Sequence, residues 1–170
     1  MTRRLVAQSV IPWILAAAIA STAELRAPGL APNPDEAAIR SLISNYARSI
    51  DAADTTLAST VWASTPDVSF IHPRGHERGF AAIKTNFYEK TMGLSFSERK
   101  LNVKDVVISC YGHTAWAEFD WEFAATLRKD GSSLTTQGRE TQVYRKVDGS
   151  WRLVHVHYSA MPVTGEGQGF

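Results

Sequence analysis

The sequence predicts an α+β fold in which helices pack on one face of a curved antiparallel sheet. Three observations carry this prediction. Apolar residues recur at helical spacing in the first half, long alternating strands dominate after residue 93, and turn residues separate those strands. Helices first and a meander of strands afterwards are typical of a layered α+β architecture.

Three helices are expected in the first half. The first begins at Asn33-Pro34-Asp35-Glu36, which combines an N-cap residue, a proline at the first helical position and an acidic first turn. Its apolar positions keep helical spacing as far as Ile50 and place Tyr46 on the inward side. A second short helix follows Asp54, and a third follows Gly79.

Five strands are expected, one between the second and third helices and four after them. Glycine-containing turns at Tyr111-Gly112-His113, Asp130-Gly131 and Val147-Asp148-Gly149 separate the last four. The segment from Arg74 to Arg78 is polar and is interpreted as a solvated loop, with a place at the rim of the pocket mouth as the alternative. The predicted strands cover residues 68–72, 96–111, 114–128, 134–146 and 151–160.

The N-terminal segment 1–23 has the order of a cleavable signal peptide. A basic start at Arg3-Arg4 precedes an apolar stretch of about 16 residues and small residues that end at Ala23. That stretch is shorter than the roughly 20 residues of a membrane span, although a retained anchor is the alternative. We therefore expect a periplasmic or secreted protein, with a flexible leader at 24–33, one domain at 34–163 and a flexible tail at 164–170.

The charge balance excludes a polyanion as the expected partner. Without the two arginines of the signal peptide, 16 of the 18 basic side chains remain against 17 acidic ones. We therefore expect neither nucleic acid nor, after cleavage, a membrane as partner. The single cysteine, Cys110, excludes an internal disulfide, and its apolar strand favours a buried filler over a nucleophile.

The strand at 114–128 alternates so that Phe119 and Trp121 face the helices. A two-residue turn at Asp130-Gly131 would pair Trp121 with Glu140 and Phe119 with Gln142. Polar groups among aromatic side chains must find a partner or bind something, so this pattern predicts a lined cavity. The alternative is that Glu140 lies near the sheet edge or is tied to an arginine.

The turn before the last strand can be interpreted in two ways. A two-residue turn at Asp148-Gly149 would place His155 and His157 toward the cavity. A three-residue loop with Gly149 in the left-handed region would instead place Val154, Val156 and Tyr158 there. One residue of register decides between them.

The outer face of the sheet is expected to be covered. The register from Asp130-Gly131 pairs Glu122 with Arg139 on this face, but the last strand is largely apolar on both sides. A second copy of the chain is the simplest cover, so we expect a homodimer through the outer face.

Two stretches carry a resemblance to known families. The closing stretch Gly138-Arg139-Glu140-Thr141-Gln142-Val143-Tyr144, followed by residues 148–159, closely resembles the end of the association (hub) domain of calcium/calmodulin-dependent protein kinase II and its bacterial SnoaL-like relatives. Asn45-Tyr46-Ala47-Arg48-Ser49-Ile50-Asp51 and Phe70-Ile71-His72-Pro73-Arg74-Gly75 are similar to the first helix and strand of ketosteroid isomerase. The chain thus looks like a member of the nuclear-transport-factor-2-like superfamily, whose fold is a cone-shaped sheet with three helices on its concave face.

The resemblance to the isomerase implies three catalytic residues. Tyr46 matches the tyrosine that donates to the substrate oxygen, and His72 stands where the isomerase has its carboxylate base. Glu140, or Gln142 if the alignment slips, falls near the protonated aspartate of the oxyanion hole. His72 with Tyr46 would suit enolisation, dehydration or cyclisation of a carbonyl compound without a cofactor. The alternative is that His72 merely ends its strand and bonds to nearby backbone.

The resemblance to the hub domain implies the ligand-binding wall. The arginines that line the hub pocket appear here as Trp121, Gln142 and Tyr158, so their binding of carboxylates is not inherited. The hub also favours the three-residue turn, with Tyr158 inside and both strand histidines outside. Phe119 and Phe87 complete the predicted wall around a small apolar or carbonyl-containing ligand.

Metal binding is not predicted. His155 and His157 share one strand face, and His72 and His76 add two imidazoles, but no third ligand is seen to converge. The expected function is therefore an exported small-molecule-binding protein, with isomerase or lyase activity as the catalytic hypothesis. The alternative is a module without catalysis that binds a ligand or assembles through its sheet.

Overall fold

The computed structural model describes residues 33–161. The predicted signal peptide, most of the leader and the predicted tail lie outside the described residues. The helices are α1 (Pro34–Ala52), α2 (Thr55–Val61) and α3, an α-helical turn (Phe80–Ala82) continued by a π-helical segment (Ile83–Leu94). The strands are β1 (Ser69–His72), β2 (Gly75–Arg78), β3 (Phe96–Tyr111), β4 (Thr114–Leu127), β5 (Ser133–Val147) and β6 (Ser150–Ala160).

Helix α1 begins where its sequence predicts. The Asn33 side chain accepts a hydrogen bond of 3.0 Å from the Asp35 amide, with proline at the first position. The helix ends at Ala53, whose φ of 49° lies in the left-handed region. Just before that end, the Asp51 carboxylate accepts a hydrogen bond of 2.7 Å from the Leu101 amide and ties the helix to β3. The buried side of α1, which includes Tyr46, is therefore fixed against the sheet.

The six strands form one sheet in the order β2-β1-β6-β5-β4-β3. All neighbouring strands are antiparallel except β1 and β6, which are parallel, so the sheet is mixed rather than purely antiparallel. Strand β2 was not predicted, because its polar residues show no apolar alternation. It pairs with β1 in a hairpin, so the segment that was expected to be a loop is part of the sheet.

The predicted register between β4 and β5 is wrong by two residues. The structure pairs Trp121 with Gly138 and Phe119 with Glu140, because a four-residue turn at 128–131 joins the strands. Gly131 closes this turn with a φ of 72°, in the region that favours glycine. A shift of two residues preserves the alternation, so the inward and outward faces of both strands are as predicted. On the outer face, Glu122 accordingly lies opposite Gln137 instead of Arg139.

The turn before β6 has two residues, not the three that the hub resemblance favours. Asp148 and Gly149 have φ values of 49° and 75°, and Val147 pairs with Ser150. A bulge at Val154 then shifts the pairing by one residue. The bulge returns Val156 and Tyr158 to the inner face, opposite Gln142 and Glu140, and leaves both strand histidines outside.

The core lies between the inner face of the sheet and the helices. Its largest fully buried side chains include Trp62, Tyr88 and Phe70. Cys110 is half-buried, and burial raises the pKa of its thiol. Among residues 33–161, no helix is both long enough and apolar enough to cross a membrane.

Candidate functional site

A cavity of about 360 Å³ lies between the helices and the inner face of the sheet. Tyr46 reaches it from α1 and Phe87 from α3, while Trp121, Glu140 and Tyr158 line it from β4, β5 and β6. Its size falls within the range of small-molecule sites, about 300 to 1,000 Å³. Most of the wall is apolar, so the few polar groups decide how a ligand would be oriented.

A chain of buried hydrogen bonds reaches the cavity wall along β5. Glu140, Gln142 and Tyr144 alternate onto the inner face, and the last two are fully buried. The Tyr144 hydroxyl donates to Oε1 of Gln142, and Nε2 of Gln142 donates to Oε1 of Glu140 over 2.6 Å. Because Tyr144 occupies the amide oxygen, the Gln142 side chain is oriented with its NH₂ group toward Glu140.

Glu140 is the most strongly perturbed acid of this site. Burial raises the pKa of its carboxyl from 4.5 to about 8, against the opposing effect of hydrogen bonding with Gln142 and Tyr46. Desolvation disfavours the charged form of a carboxyl, and within residues 33–161 Glu140 forms no salt bridge that would offset it. At pH 7 the carboxyl is therefore mostly protonated and can donate a hydrogen bond into the cavity.

The neighbouring phenols stay protonated over the same pH range. Burial raises the pKa of Tyr46 well above 10, and the nearby Glu140 carboxyl raises it further. Burial likewise raises the pKa of Tyr158 to about 12 and that of Tyr88 to about 12. Tyr88 is engaged by Ser49 at 2.9 Å, whereas Tyr46 and Tyr158 line the cavity. The hydroxyl groups of Tyr46 and Tyr158 thus line the same mainly apolar cavity as the Glu140 carboxyl.

Trp121 lines the cavity next to Tyr158. Its ring stands edge-on to Tyr158, with centroids 5.5 Å apart, and lies over Gly138 of the next strand. The indole Nε1 of Trp121 is buried without a hydrogen-bond partner among the described residues. A side chain at position 138 would occupy the space that this ring fills.

His72 lies behind the cavity wall. Its ring stacks on Tyr158 at 6.3 Å between centroids but does not line the cavity. Nδ1 accepts a hydrogen bond of 3.3 Å from the Arg74 amide, and Nε2 stands 3.7 Å from a carboxylate oxygen of Glu77. Burial lowers the pKa of the His72 imidazole, while Glu77 opposes that shift. In this arrangement neither nitrogen offers a lone pair to the cavity.

The structure therefore brings together only part of the predicted site. Tyr46 and Glu140 share the cavity, as do the predicted wall residues Trp121, Tyr158 and Phe87. Two other predicted wall residues do not line the cavity. Gln142 donates a hydrogen bond to the Glu140 carboxyl, and Phe119 lies opposite Glu140 on the neighbouring strand. The roles assigned to all of these residues stay predictions.

Arg74 reaches the cavity from the β1–β2 turn, within the polar segment for which a place at the rim of a pocket is one interpretation of the sequence. The sequence does not predict several apolar lining residues of α3, β3 and β4. Strand alternation in β3 is consistent with an inward Leu101, whereas a π-helix such as α3 departs from the period of 3.6 residues on which helix predictions rely. These apolar lining residues include Met92, Phe96, Leu101 and Phe123.

No group of three or more metal-ligating side chains converges within residues 33–161. His155 instead shares a hydrogen bond of 2.7 Å with the Ser69 hydroxyl on the outer face. Burial lowers the pKa of the His155 imidazole.

Comparison with known proteins agrees with this architecture. The family model of the SnoaL-like domain matches residues 39–164. A nuclear transport factor 2-like superfamily protein from Salmonella enterica serovar Typhimurium is 48% identical, with a TM-score of 0.76; the match covers 78% of this chain and 94% of that chain. No curated protein matches the chain.

Two more distant structures share the fold alone. A hexachlorocyclohexane dehydrochlorinase from Novosphingobium barchaimii is 15% identical with a TM-score of 0.67, covering 80% of this chain and 93% of that chain. A protein named for the calcium/calmodulin-dependent protein kinase II association domain, from Xanthomonas campestris, is 21% identical with a TM-score of 0.62, covering 74% and 87%.

The family match spans most of the chain, and the Salmonella protein is nearly half identical along almost its whole length. These findings confirm the superfamily and the α+β fold that the sequence predicts. The chain belongs to the SnoaL-like family of the nuclear-transport-factor-2-like superfamily.

Proposed function

We propose that the domain binds a small, mainly apolar molecule in the cavity, and that Tyr46 and Glu140 together hold one oxygen of that molecule. The observation that carries this proposal is a buried carboxyl with a pKa of about 8 at the wall of an otherwise apolar space. An acid that is neutral at pH 7 donates a hydrogen bond without bringing a charge into the cavity.

Such a pair of donors suits a reaction in which negative charge develops on oxygen. When a proton leaves the carbon beside a carbonyl, its bonding electrons form a carbon–carbon double bond and the carbonyl π electrons move to oxygen. Tyr46 and Glu140 would stabilise that oxyanion in a site with little water. The chemistry is that of isomerisation, dehydration or cyclisation, and it requires no cofactor. Fold relatives include a dehydrochlorinase, which supports an enzymatic role for this type of cavity.

The base in this scheme is His72, as predicted from the sequence. Burial lowers the pKa of its imidazole, so it is uncharged at pH 7 and of the right form to accept a proton. To reach a ligand, its ring must leave the Arg74 amide and turn past Tyr158. The test must therefore measure the effect of His72 on proton removal separately from the effect of Tyr46 and Glu140 on binding of the oxygen.

The test uses a bicyclic ketone such as 2-tetralone. Binding is followed by tryptophan fluorescence, and exchange of the proton beside the carbonyl is followed by NMR in D₂O. We expect Tyr46→Phe and Glu140→Leu each to slow exchange by about 10²- to 10³-fold, the effect of losing one oxyanion donor. Tyr111→Phe and Glu118→Gln, on exposed side chains, serve as matched controls.

The outcomes distinguish the parts of the proposal. Failure of the wild-type protein to bind bicyclic ketones, or unchanged exchange in both cavity variants, would overturn the oxygen-binding role. Loss of exchange in His72→Ala with binding retained would support His72 as the base. Persistent exchange in that variant would assign proton removal to another group and leave Tyr46 and Glu140 in place.

A second function, assembly through the outer face of the sheet, is favoured by exposed apolar side chains. Val107 and Tyr111 are 61% and 64% exposed, and Tyr111 stacks on Trp116 with centroids 5.0 Å apart. We propose that a second copy of the chain covers this face. Sedimentation at micromolar concentration should show a dimer, and Val107→Lys should shift it to monomer. A monomeric wild type would overturn this proposal.

We also propose that the protein is exported and that residues 1–23 are removed. The support is the order of basic, apolar and small residues in that segment. Mass spectrometry of the protein from the periplasm or medium should give a chain that begins near Glu24. A chain that keeps Arg3-Arg4 and stays with the membrane fraction would indicate the retained anchor instead.

A further inference from the structure

Arg74 is the only cationic side chain among the residues that line the cavity. It lies in the β1–β2 turn and is exposed to solvent, so it stands at the mouth of the cavity. Within residues 33–161 its guanidinium makes no ion pair and no side-chain hydrogen bond, although many other surface arginines and lysines are paired. Burial raises the pKa of Tyr158, and the positive charge of Arg74 opposes that rise.

The cavity offers no negative charge to pair with Arg74 at pH 7. Within residues 33–161, Glu140 is the only acidic lining residue, and with a pKa of about 8 its carboxyl is mostly neutral. Apolar side chains, including Phe87, Met92 and Trp121, make up most of the remaining wall. The cavity thus combines neutral donors, an apolar wall and one guanidinium without an ion-pair partner.

We propose that the cavity takes an amphipathic monoanion, with a neutral oxygen at Tyr46 and Glu140, an apolar body along the aromatic wall, and a carboxylate at Arg74. A guanidinium presents a planar fork of N–H donors that matches a carboxylate. This inference rests on the proposed function, since it assigns the same cavity a class of ligand. The size of the space, equivalent to about a dozen water molecules, limits the apolar body to about two fused rings.

The position of the cation is not the one that the hub resemblance implies. The hub arginines correspond to Trp121, Gln142 and Tyr158, so that route to carboxylate binding is lost. Arg74 instead supplies a guanidinium from the β1–β2 turn.

The test compares two probes that differ in charge alone: 6-acetyl-2-naphthoate and its carboxamide. Binding of each is measured by calorimetry at pH 7 to the wild type, to Arg74→Gln and to Arg78→Gln as the matched surface control. We expect the wild type to bind the naphthoate about tenfold more tightly than the carboxamide. Arg74→Gln should reduce that ratio to about one without weakening the carboxamide, and Arg78→Gln should preserve the ratio.

A pH series gives an independent readout. The other titratable groups that face Glu140 are Tyr46, Tyr88, Tyr144 and Tyr158, and burial raises the pKa of each. Among this group only Glu140 changes charge between pH 7 and 9, and its anion would repel the naphthoate. The preference for the naphthoate should therefore fall above about pH 8 in the wild type and persist in Glu140→Gln.

The results separate this inference from the proposed function. Equal binding of both probes by the wild type, or an unchanged preference in Arg74→Gln, would overturn the role of Arg74 and leave ligand binding in place. Binding of neither probe would overturn the proposed function together with this inference. Loss of carboxamide binding in Arg74→Gln would show that Arg74 holds the shape of the cavity and would refute a charge-specific role.

Discussion

Replacement of Glu140 by glutamine should change how stability depends on pH. In the folded protein, burial raises the pKa of this carboxyl from 4.5 to about 8. In the unfolded chain it ionises near its ordinary value, so between these pH values only the folded state keeps the proton. Stability from this group is therefore complete below about pH 4.5 and is lost as the pH rises toward 8.

The magnitude follows from the size of the shift. One pKa unit corresponds to about 1.4 kcal/mol, so the free energy of unfolding should fall by about 1.4 kcal/mol per pH unit in this interval. The whole shift amounts to about 5 kcal/mol. Glutamine keeps the carbonyl that accepts from Gln142 but cannot ionise. The stability of Glu140→Gln minus that of the wild type should accordingly rise by about 4 kcal/mol between pH 5 and pH 8.

Urea unfolding at unit steps from pH 4 to pH 9 measures this difference. Subtracting the wild-type stability removes the contributions of groups that both proteins share. These include His72 and His155, whose lowered pKa values make stability rise with pH. Glu118→Gln, on the exposed face of β4, is the matched control for the loss of one carboxylate. A difference for Glu140→Gln that does not change with pH would refute the reasoning, since it would mean that water reaches and solvates the carboxylate in the folded state.

Three further changes test the packing around the site, each by urea unfolding. Gly138→Ala should cost about 3 kcal/mol or more and alter tryptophan fluorescence, because the new Cβ would clash with the backbone carbonyl of Ser159 and stand 2.6 Å from the Trp121 ring; unchanged fluorescence would contradict the contact with the ring. Tyr144→Phe leaves the buried amide oxygen of Gln142 without its donor and should also cost about 1 to 3 kcal/mol, whereas a neutral effect would mean that water replaces the hydroxyl. Asp54→Ala removes the side chain that caps two amides of α2 and should cost about 1 kcal/mol, which Asp54→Asn should largely restore.

The parts of the fold that local patterns govern could be predicted from the sequence. The start of α1 follows from its capping residues, and the faces of β4 and β5 follow from strict alternation. The faces are as predicted although the register is not, because an error of two residues keeps every side chain on its face. Helical spacing places Tyr46 on the inward side of α1, and alternation places Glu140 on the inner face of β5.

The remaining features depend on contacts that no local pattern reports. The length of the turn after β4 depends on the left-handed backbone of Gly131, and a glycine fits turns of several lengths. The setting of His72 depends on Glu77, which belongs to a strand whose polar sequence resembles a loop. The segment Ile83–Leu94 is π-helical, so its buried residues do not follow the period of 3.6 residues that identifies an α-helix.

The bulge at Val154 decides which side chains of β6 face the cavity. Val147 pairs with Ser150 at the turn, and an unbroken ladder from that pair would put His157 opposite Glu140. The extra residue moves the pairing by one position, so Tyr158 lies opposite Glu140 and His155 faces the other side. Deletion of Val154 would leave both side chains where they are, because the strand would then continue with the same partners. Loss of the bulge without a deletion would instead exchange the two sets and turn imidazoles toward the cavity in place of a phenol.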